Sequence, residues 1–479
     1  MSSSKNSDQT HLVIIGGGSA AFAAAIEAHG LGAKVTIIND GLPIGGTCVN
    51  VGCVPSKTLL RAAEAHHQPT RQRFTGIEGS SQVTDFSEVI AQKRELVGAL
   101  RQAKYVDVIE PLEDVRLIDG RARLVGSKTD GPKQVVVNGE RIDADHVILA
   151  TGASPAAPPI DGLDQVDYLT NETAFELDEL PESMVVLGGN YIGLECAQMF
   201  ARFGTEVTML ELQDQVLPTE IGDVADELSR HLSEEGIQIW TGATTTRVQS
   251  TASGIALEVE CDGETHRLEA ERLLVATGRR PNTTDLGVEE AGVVLSAEGK
   301  VVVDSYLETT AEGVYAAGDI ICGPMFVYTA AFEGKLAAHN ALGDQAPRPV
   351  DYSPLPWVVF TDPQVAGVGL DERQAAKEGF EPQATTLPLS AVPRAIAARD
   401  MRGFIKLIRD QKTDRLLGAR IVAPEGSELL MELAVAIRHE MTVAELVDML
   451  HPYLTLSEGI RLAALTFDKS IEQLSCCAG

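Results

Sequence analysis

The sequence predicts an α/β protein in which one strand–glycine turn–helix–strand unit occurs twice, followed by a C-terminal part of different pattern. Two observations carry this. The apolar strand His11–Ile15 runs into Gly16-Gly17-Gly18-Ser19-Ala20-Ala21, an alanine-rich helix and the strand Lys34–Ile38. Met184–Leu187 runs likewise into Gly188-Gly189-Asn190-Tyr191-Ile192-Gly193, a helix through Phe203 and the strand Glu206–Leu210. A tight glycine turn between strand and helix aims the helix N-terminus at a pyrophosphate, so the repetition implies two dinucleotide sites.

In the first unit Gly16 and Gly18 form the turn, Ala20 and Ala21 begin the helix, and Ala21 stands for the third glycine of the fingerprint. Asn39, beside Asp40, closes the second strand where a ribose-binding acid is expected, and an amide there still bonds a hydroxyl. The segment Gly45-Gly46-Thr47-Cys48-Val49-Asn50-Val51-Gly52-Cys53-Val54-Pro55-Ser56-Lys57 follows at once. Four residues separate the thiols, so one helical turn is expected to bring Cys48 and Cys53 into bonding reach. The preceding glycines let the backbone approach a flat cofactor closely. Lys57, one turn beyond Cys53, is placed to stabilise a thiolate or a reduced ring. A zinc clip would want two more ligands at short spacing, and none is near. A redox thiol pair directly after the first turn makes FAD the expected occupant there, which leaves the second turn for NAD(P)H.

Ile148-Leu149-Ala150-Thr151-Gly152 and Leu274-Val275-Ala276-Thr277-Gly278 read as buried strands ending at crossovers. In the second unit Asn190 replaces a glycine and is expected to use its tolerance of the left-handed region. Glu211 has the same offset from Gly188 that Asn39 has from Gly16. A carboxylate there bonds both ribose hydroxyls of NADH and repels a 2′-phosphate, and Leu212 to Thr219 contains no arginine or lysine. NADH is therefore expected to serve at least as well as NADPH. From about Asp351 short β-rich stretches (Trp357–Thr361, Gly403–Ile408, Leu416–Val422) surround helices at Gly426–Arg438 and Val443–Leu450. The chain ends Cys476-Cys477-Ala478-Gly479. Neighbouring α-carbons about 3.8 Å apart are too close for a relaxed disulfide, so this pair reads either as capture of a soft metal ion or as two idle terminal cysteines.

Composition sets outer bounds. A chain of 479 residues holds two to four domains with ample core. Seven cysteines, an odd number, do not make a secreted disulfide framework. Met1 to Thr10 is polar, and no apolar run reaches the ~20 residues that span a bilayer, so a cytoplasmic location is expected. A formal charge of −30 repels nucleic acid and argues against an electrostatically held membrane partner. Cys196, Cys261 and Cys322 have no partner at redox or metal spacing and read as packing residues.

From first strand to last residue these motifs resemble, in order, the flavoprotein disulfide reductase family. The resemblance implies two Rossmann-like dinucleotide-binding domains plus an α+β C-terminal dimerisation domain: 1–155 with 279–349 for FAD, 156–278 for the nicotinamide and 350–479 for dimerisation. It implies that Gly152 and Gly278 mark entry to and exit from the nicotinamide domain. Val314-Tyr315-Ala316-Ala317-Gly318-Asp319 resembles the family's second FAD motif, in which the aspartate binds the ribityl chain. By position Gly46, Thr47, Lys57, Ala122 and Val327 should also touch FAD, and Asn190 and Gly193 the nicotinamide. Cys53 is expected against the flavin as thiolate, Cys48 as exchange thiol, and Lys57 paired with Glu195.

The redox segment and the Cys-Cys-Ala-Gly ending are similar to the branch of the family that reduces mercury(II), presented as a thiol or halide complex. Disulfide reductases of the family place a histidine where Tyr453 falls, with a glutamate five residues on, here Glu458, to orient it. Tyrosine, with a pKa near 10, is a poor proton shuttle at neutral pH, whereas reducing a metal ion needs none. Tyr191 is then a second tyrosine over the metal and nicotinamide pocket. A homodimer is implied, its active site shared, with Cys476 and Cys477 of one subunit passing metal to Cys48 and Cys53 of the other. The rivals are a dihydrolipoamide dehydrogenase-like disulfide reductase and a mercury-binding protein without turnover.

Overall fold

The computed structural model describes residues 9–126, 132–343 and 346–474. The chain forms two compact units, each made of three stretches of sequence: Met1–Thr58, Glu88–Ala156 and Gly278–Asp351 in the first, Leu59–Ser87, Ala157–Thr277 and Tyr352–Gly479 in the second.

The first unit is built on a parallel sheet in the order Val314–Ala316, His146–Leu149, His11–Ile15, Lys34–Asn39, Val115–Asp119. His11–Ile15 lies in the middle with partners on both edges, which is why Leu12 to Ile15 are all apolar and at most 3% exposed. The helix Ser19–Gly30 is rich in alanine because it lies against the helix Val327–Leu342. A Cβ at Gly334 would come 2.0 Å from the Ala20 carbonyl oxygen, so only glycine allows that approach. A three-stranded antiparallel sheet, Ala122–Val125, Lys133–Val137 and Glu140–Ala144, completes the unit.

The second unit repeats the plan. Its parallel sheet runs Gln238–Trp240, Glu206–Leu210, Ser183–Leu187, Arg272–Val275, and an antiparallel trio, Thr244–Thr251, Gly254–Cys261 and Glu264–Ala270, accompanies it. A five-stranded antiparallel sheet follows, ordered Trp357–Val359, Gln364–Gly369, Leu416–Ala423, Phe404–Asp410, Pro382–Pro388. The stretch expected as a helix over Gly426–Arg438 starts as a 3₁₀ turn, Gly426–Leu429, and becomes α-helical only over Leu430–Arg438. The next helix, Val443–Asp448, stops short of the expected Leu450, which is 99% exposed.

A buried ion network ties this unit together. Arg202 donates to both carboxylate oxygens of Glu235 and to Asp362, each at 2.8 Å, and Arg402 bridges Asp362 and Asp400. Burial alone would raise the Glu235 pKa, but Arg202, with His67 and Arg71, outweighs it and holds the carboxyl below its usual range. No helix among the described residues is long and apolar enough to cross a membrane.

Candidate active site

The redox segment folds as a short helix, Gly46–Asn50, a break at Val51-Gly52, and the long helix Cys53–His67. The thiols meet as expected, but across a break between two helices and not within one helical turn. The break places Cys53 at the start of a helix, where the N-terminal end of the dipole favours a thiolate. No disulfide links the two cysteines in this structure, and a side-chain hydrogen bond joins them. That bond to Cys53, followed by burial, raises the Cys48 pKa strongly, while the Lys57 charge pulls the other way. Cys48 is thus the thiol that holds its proton more firmly than an ordinary cysteine.

The segment is pressed onto the first glycine turn. Gly46 has φ +59, and a Cβ there would lie 2.7 Å from the Gly18 α-carbon. Asn50 staples the segment from inside: its Nδ2 donates to the carbonyls of Pro43 at 2.8 Å and Gly46 at 2.9 Å, and its Oδ1 accepts from Arg101 at 3.0 Å.

Three further side chains surround the pair. Tyr105 sits in a π-helical stretch, Gln102–Val106, with its ring edge-on to Phe22 and its hydroxyl bonded to Ser19. Burial raises its pKa, outweighing the Ser19 hydrogen bond that pulls it down. The Tyr328 hydroxyl is likewise raised by burial and then by Cys53. Arg279 donates to the Ala153 carbonyl and to Thr47 Oγ1, with its guanidinium 3.8 Å from Asp319. None of the three was singled out from sequence. Only Arg279 left a signal there, as the cation directly after the second crossover.

The residues assigned to FAD fit that group. A Cβ at Gly16 would meet the Ala150 carbonyl oxygen at 2.1 Å, so the turn closes tightly over the crossover that Gly152 follows. No side chain caps the helix Ser19–Gly30, which leaves its first amides for a pyrophosphate. Asp319 is largely buried, its pKa raised by that burial, with an ion pair to Arg279 and no hydrogen bond among the described residues. It suits ribityl hydroxyls. Ala20, Ala21 and Ala122 are buried, Val327 starts its helix, and Asn39 Nδ2 donates to the Leu42 carbonyl.

In the second unit a Cβ at Gly188 would meet the Ala276 oxygen at 2.5 Å, and one at Gly193 the Gly188 oxygen at 1.9 Å. Asn190 is extended, φ −106 and ψ −174, and not left-handed as expected. It acts as an N-cap, its side chain accepting from the Tyr191 amide at 3.0 Å. Glu211, 7% exposed, accepts from the Gly189 amide at 2.6 Å and from the Gln213 amide at 2.8 Å. A pinned carboxylate at the strand end, a tight turn and a helix start suit an adenine ribose and pyrophosphate. Gly278 lies at the return crossover with φ +142.

The remaining predicted residues are also placed. The Glu195 carboxylate accepts from the Phe360 amide at 3.0 Å. Tyr191 stacks on Trp357. Tyr453 is 51% exposed, while Glu458 is buried and accepts from the Leu454 amide at 3.2 Å. His451 pairs with Glu432 at 2.7 Å. Cys196 is buried, but Cys322 is exposed and so is not the packing residue expected. Cys476 and Cys477 lie outside the described residues.

Residues 10–334 match the pyridine nucleotide-disulphide oxidoreductase model and residues 355–464 its dimerisation-domain model. A mercuric reductase of Staphylococcus aureus is 43% identical over 98% of this chain and 84% of its own length. One of Streptomyces lividans is 44% identical over 98% of both chains. Among solved structures, the HOCl-induced flavoprotein disulfide reductase RclA of Escherichia coli matches with a TM-score of 0.84 and 32% identity, over 96% of this chain and all of the other.

Proposed function

The chain belongs to the pyridine nucleotide-disulphide oxidoreductase family, and we propose that it reduces mercury(II) to elemental mercury with two electrons from NAD(P)H, which leaves as NAD(P)⁺ with release of a proton. The observation that carries this reading is the Cys48–Cys53 pair, its two sulfurs joined by a hydrogen bond with Cys53 at a helix start. A dithiol so arranged binds a soft ion by thiolate exchange. FAD and NAD(P)H supply the hydride and electron-pair chemistry when bound.

We assign the protein's own groups as follows. Cys48 is the exchange thiol that takes the metal as its proton leaves, and Cys53, the thiolate against the flavin, completes the pair. Lys57 balances the charge of the pair, with Glu195 as its carboxylate. Gly16, Gly18 and the first turn of Ser19–Gly30 hold the FAD pyrophosphate, Asp319 the ribityl chain, and Arg279 fixes Thr47 beside it. Gly188, Asn190, Gly193 and Glu211 hold the nicotinamide cofactor. Tyr453 and Tyr191 line the metal path, where no proton relay is needed, and Glu458 fixes the backbone next to Tyr453. Cys476 and Cys477 capture mercury(II) from thiol or halide complexes and pass it to the thiol pair of the partner subunit in a homodimer. Residues 1–155 and 279–349 form the FAD domain, 156–278 the nicotinamide domain and 350–479 the dimerisation domain. The enzyme works in the cytoplasm.

The test is an assay containing NAD(P)H, mercuric chloride and excess small thiol, with mercury vapour measured alongside NAD(P)H oxidation. Matched vapour and oxidation are expected, with negligible dihydrolipoamide turnover. Oxidation without vapour, or rapid dihydrolipoamide turnover, would overturn the reading.

A further inference from the structure

In the second unit Tyr191, the residue after the cap Asn190, does not stand alone. Its ring stacks on the Trp357 indole with centroids 5.8 Å apart and planes at 28°. Trp357 is only 8% exposed and is fixed from two other sides. It crosses its strand partner Gly367 so closely that a Cβ there would lie 2.4 Å from the indole. The Arg420 guanidinium lies 5.7 Å from the same ring and is itself held by Glu220 at 2.7 Å. Arg420 is 1% exposed, so this cation is a rigid part of the core. The indole is therefore packed on three sides, whereas Tyr191 is half-buried.

We propose that Trp357 is a positioning residue for the nicotinamide site: it holds the Tyr191 ring at the mouth of the Gly188 turn in the orientation that the cofactor meets. This rests on the assignment of that turn to NAD(P)H. A first-turn helix side chain has several open rotamers, and stacking against a fixed indole selects one of them. Tyr191 then presents one surface to every incoming cofactor, and the ordering does not have to be repeated at each binding event.

The test measures binding directly, by calorimetric titration of the FAD-loaded protein with NAD⁺ and NADP⁺. Gly367 has an ordinary φ, so its strand accepts a side chain once the indole is gone. The variant W357A/G367V refills the space without offering a ring, whereas W357F keeps a ring. The Kd of the better-bound cofactor should rise roughly fivefold in W357A/G367V, the size an aromatic pair carries. It should change little in W357F. Y191A should rise by a similar factor, and Y191A/W357A/G367V no further, because Trp357 acts through Tyr191. If the double variant fails to load FAD, W357L carries the same comparison.

A wild-type protein that binds neither cofactor overturns the nicotinamide assignment and this inference with it. Wild-type binding matched by unchanged binding in W357A/G367V overturns this inference alone. So do fully additive losses with Y191A.

Discussion

The two glycine turns share one backbone and differ in everything attached to it. Gly16 and Gly188 take φ +128 and +105 and press onto equivalent crossover carbonyls, Ala150 and Ala276. After the first turn the helix starts uncapped at Gly18; after the second, Asn190 caps it from within. The first strand end carries Asn39, turned back to the Leu42 carbonyl, and the second carries Glu211, gripping two amides of its own loop. An uncapped helix start is satisfied best by an anion that stays, while a start that supplies its own acceptor loses less when its ligand leaves. On the proposed assignments, the first turn suits a cofactor that stays and the second one that departs in every cycle.

Exchanging the two lesions breaks this comparison most severely. G16A places a Cβ at 2.1 Å from a carbonyl oxygen at a strained φ, a cost of several kcal/mol. The purified protein should lack flavin absorbance and all mercury reduction. G188A should keep its flavin and lose nicotinamide binding. Loss of flavin in both would mean that the turns are not specialised.

Next in size are the thiols beside the first turn. Cys53→Ala should show no long-wavelength charge-transfer band from a thiolate to oxidised flavin, and Cys48→Ala should show one, though neither turns over mercury at more than about 1% of the normal rate. A band surviving in Cys53→Ala would reverse the two assignments.

Glu211 tests the strand ends. The intact protein should use NADH at least as well as NADPH. Glu211→Gln, which removes a charge beside the ribose, should move the ratio of kcat/KM values towards NADPH by roughly tenfold, or 1.4 kcal/mol. A strong NADPH preference in the unaltered protein would mean that Glu211 serves its loop alone.

The smallest effect belongs to the cap. Asn190→Ala should cost about 1 kcal/mol in denaturant unfolding, and Asn190→Gly a few tenths. Equal losses from both would point to a contact other than the cap.

What was legible in the sequence was local. His11–Ile15, Tyr191–Phe203 and Glu206–Leu210 fall where apolar runs and turn residues place them. Asn190 was read by residue type as a left-handed position, but Asn serves equally as a cap, and only the extended φ separates the two. Tyr105, Tyr328 and Arg279 went unnoticed because each comes from a different, distant stretch of chain. No periodicity in a sequence records that kind of meeting. Cys322 shows the reverse error: absence of a partner was taken for burial, yet the thiol is exposed.

The chain passes between its two units at residues 58–59, 87–88, 156–157, 277–278 and 351–352. During synthesis the sheet around His11–Ile15 therefore lacks its last strand, Val314–Ala316, and its covering helix, Val327–Leu342, long after Cys53 has left the ribosome. At about 5–20 residues per second that interval lasts roughly 15–60 s. Throughout it Cys48 and Cys53 belong to an unfinished chain, open to any thiophilic ion in the cell.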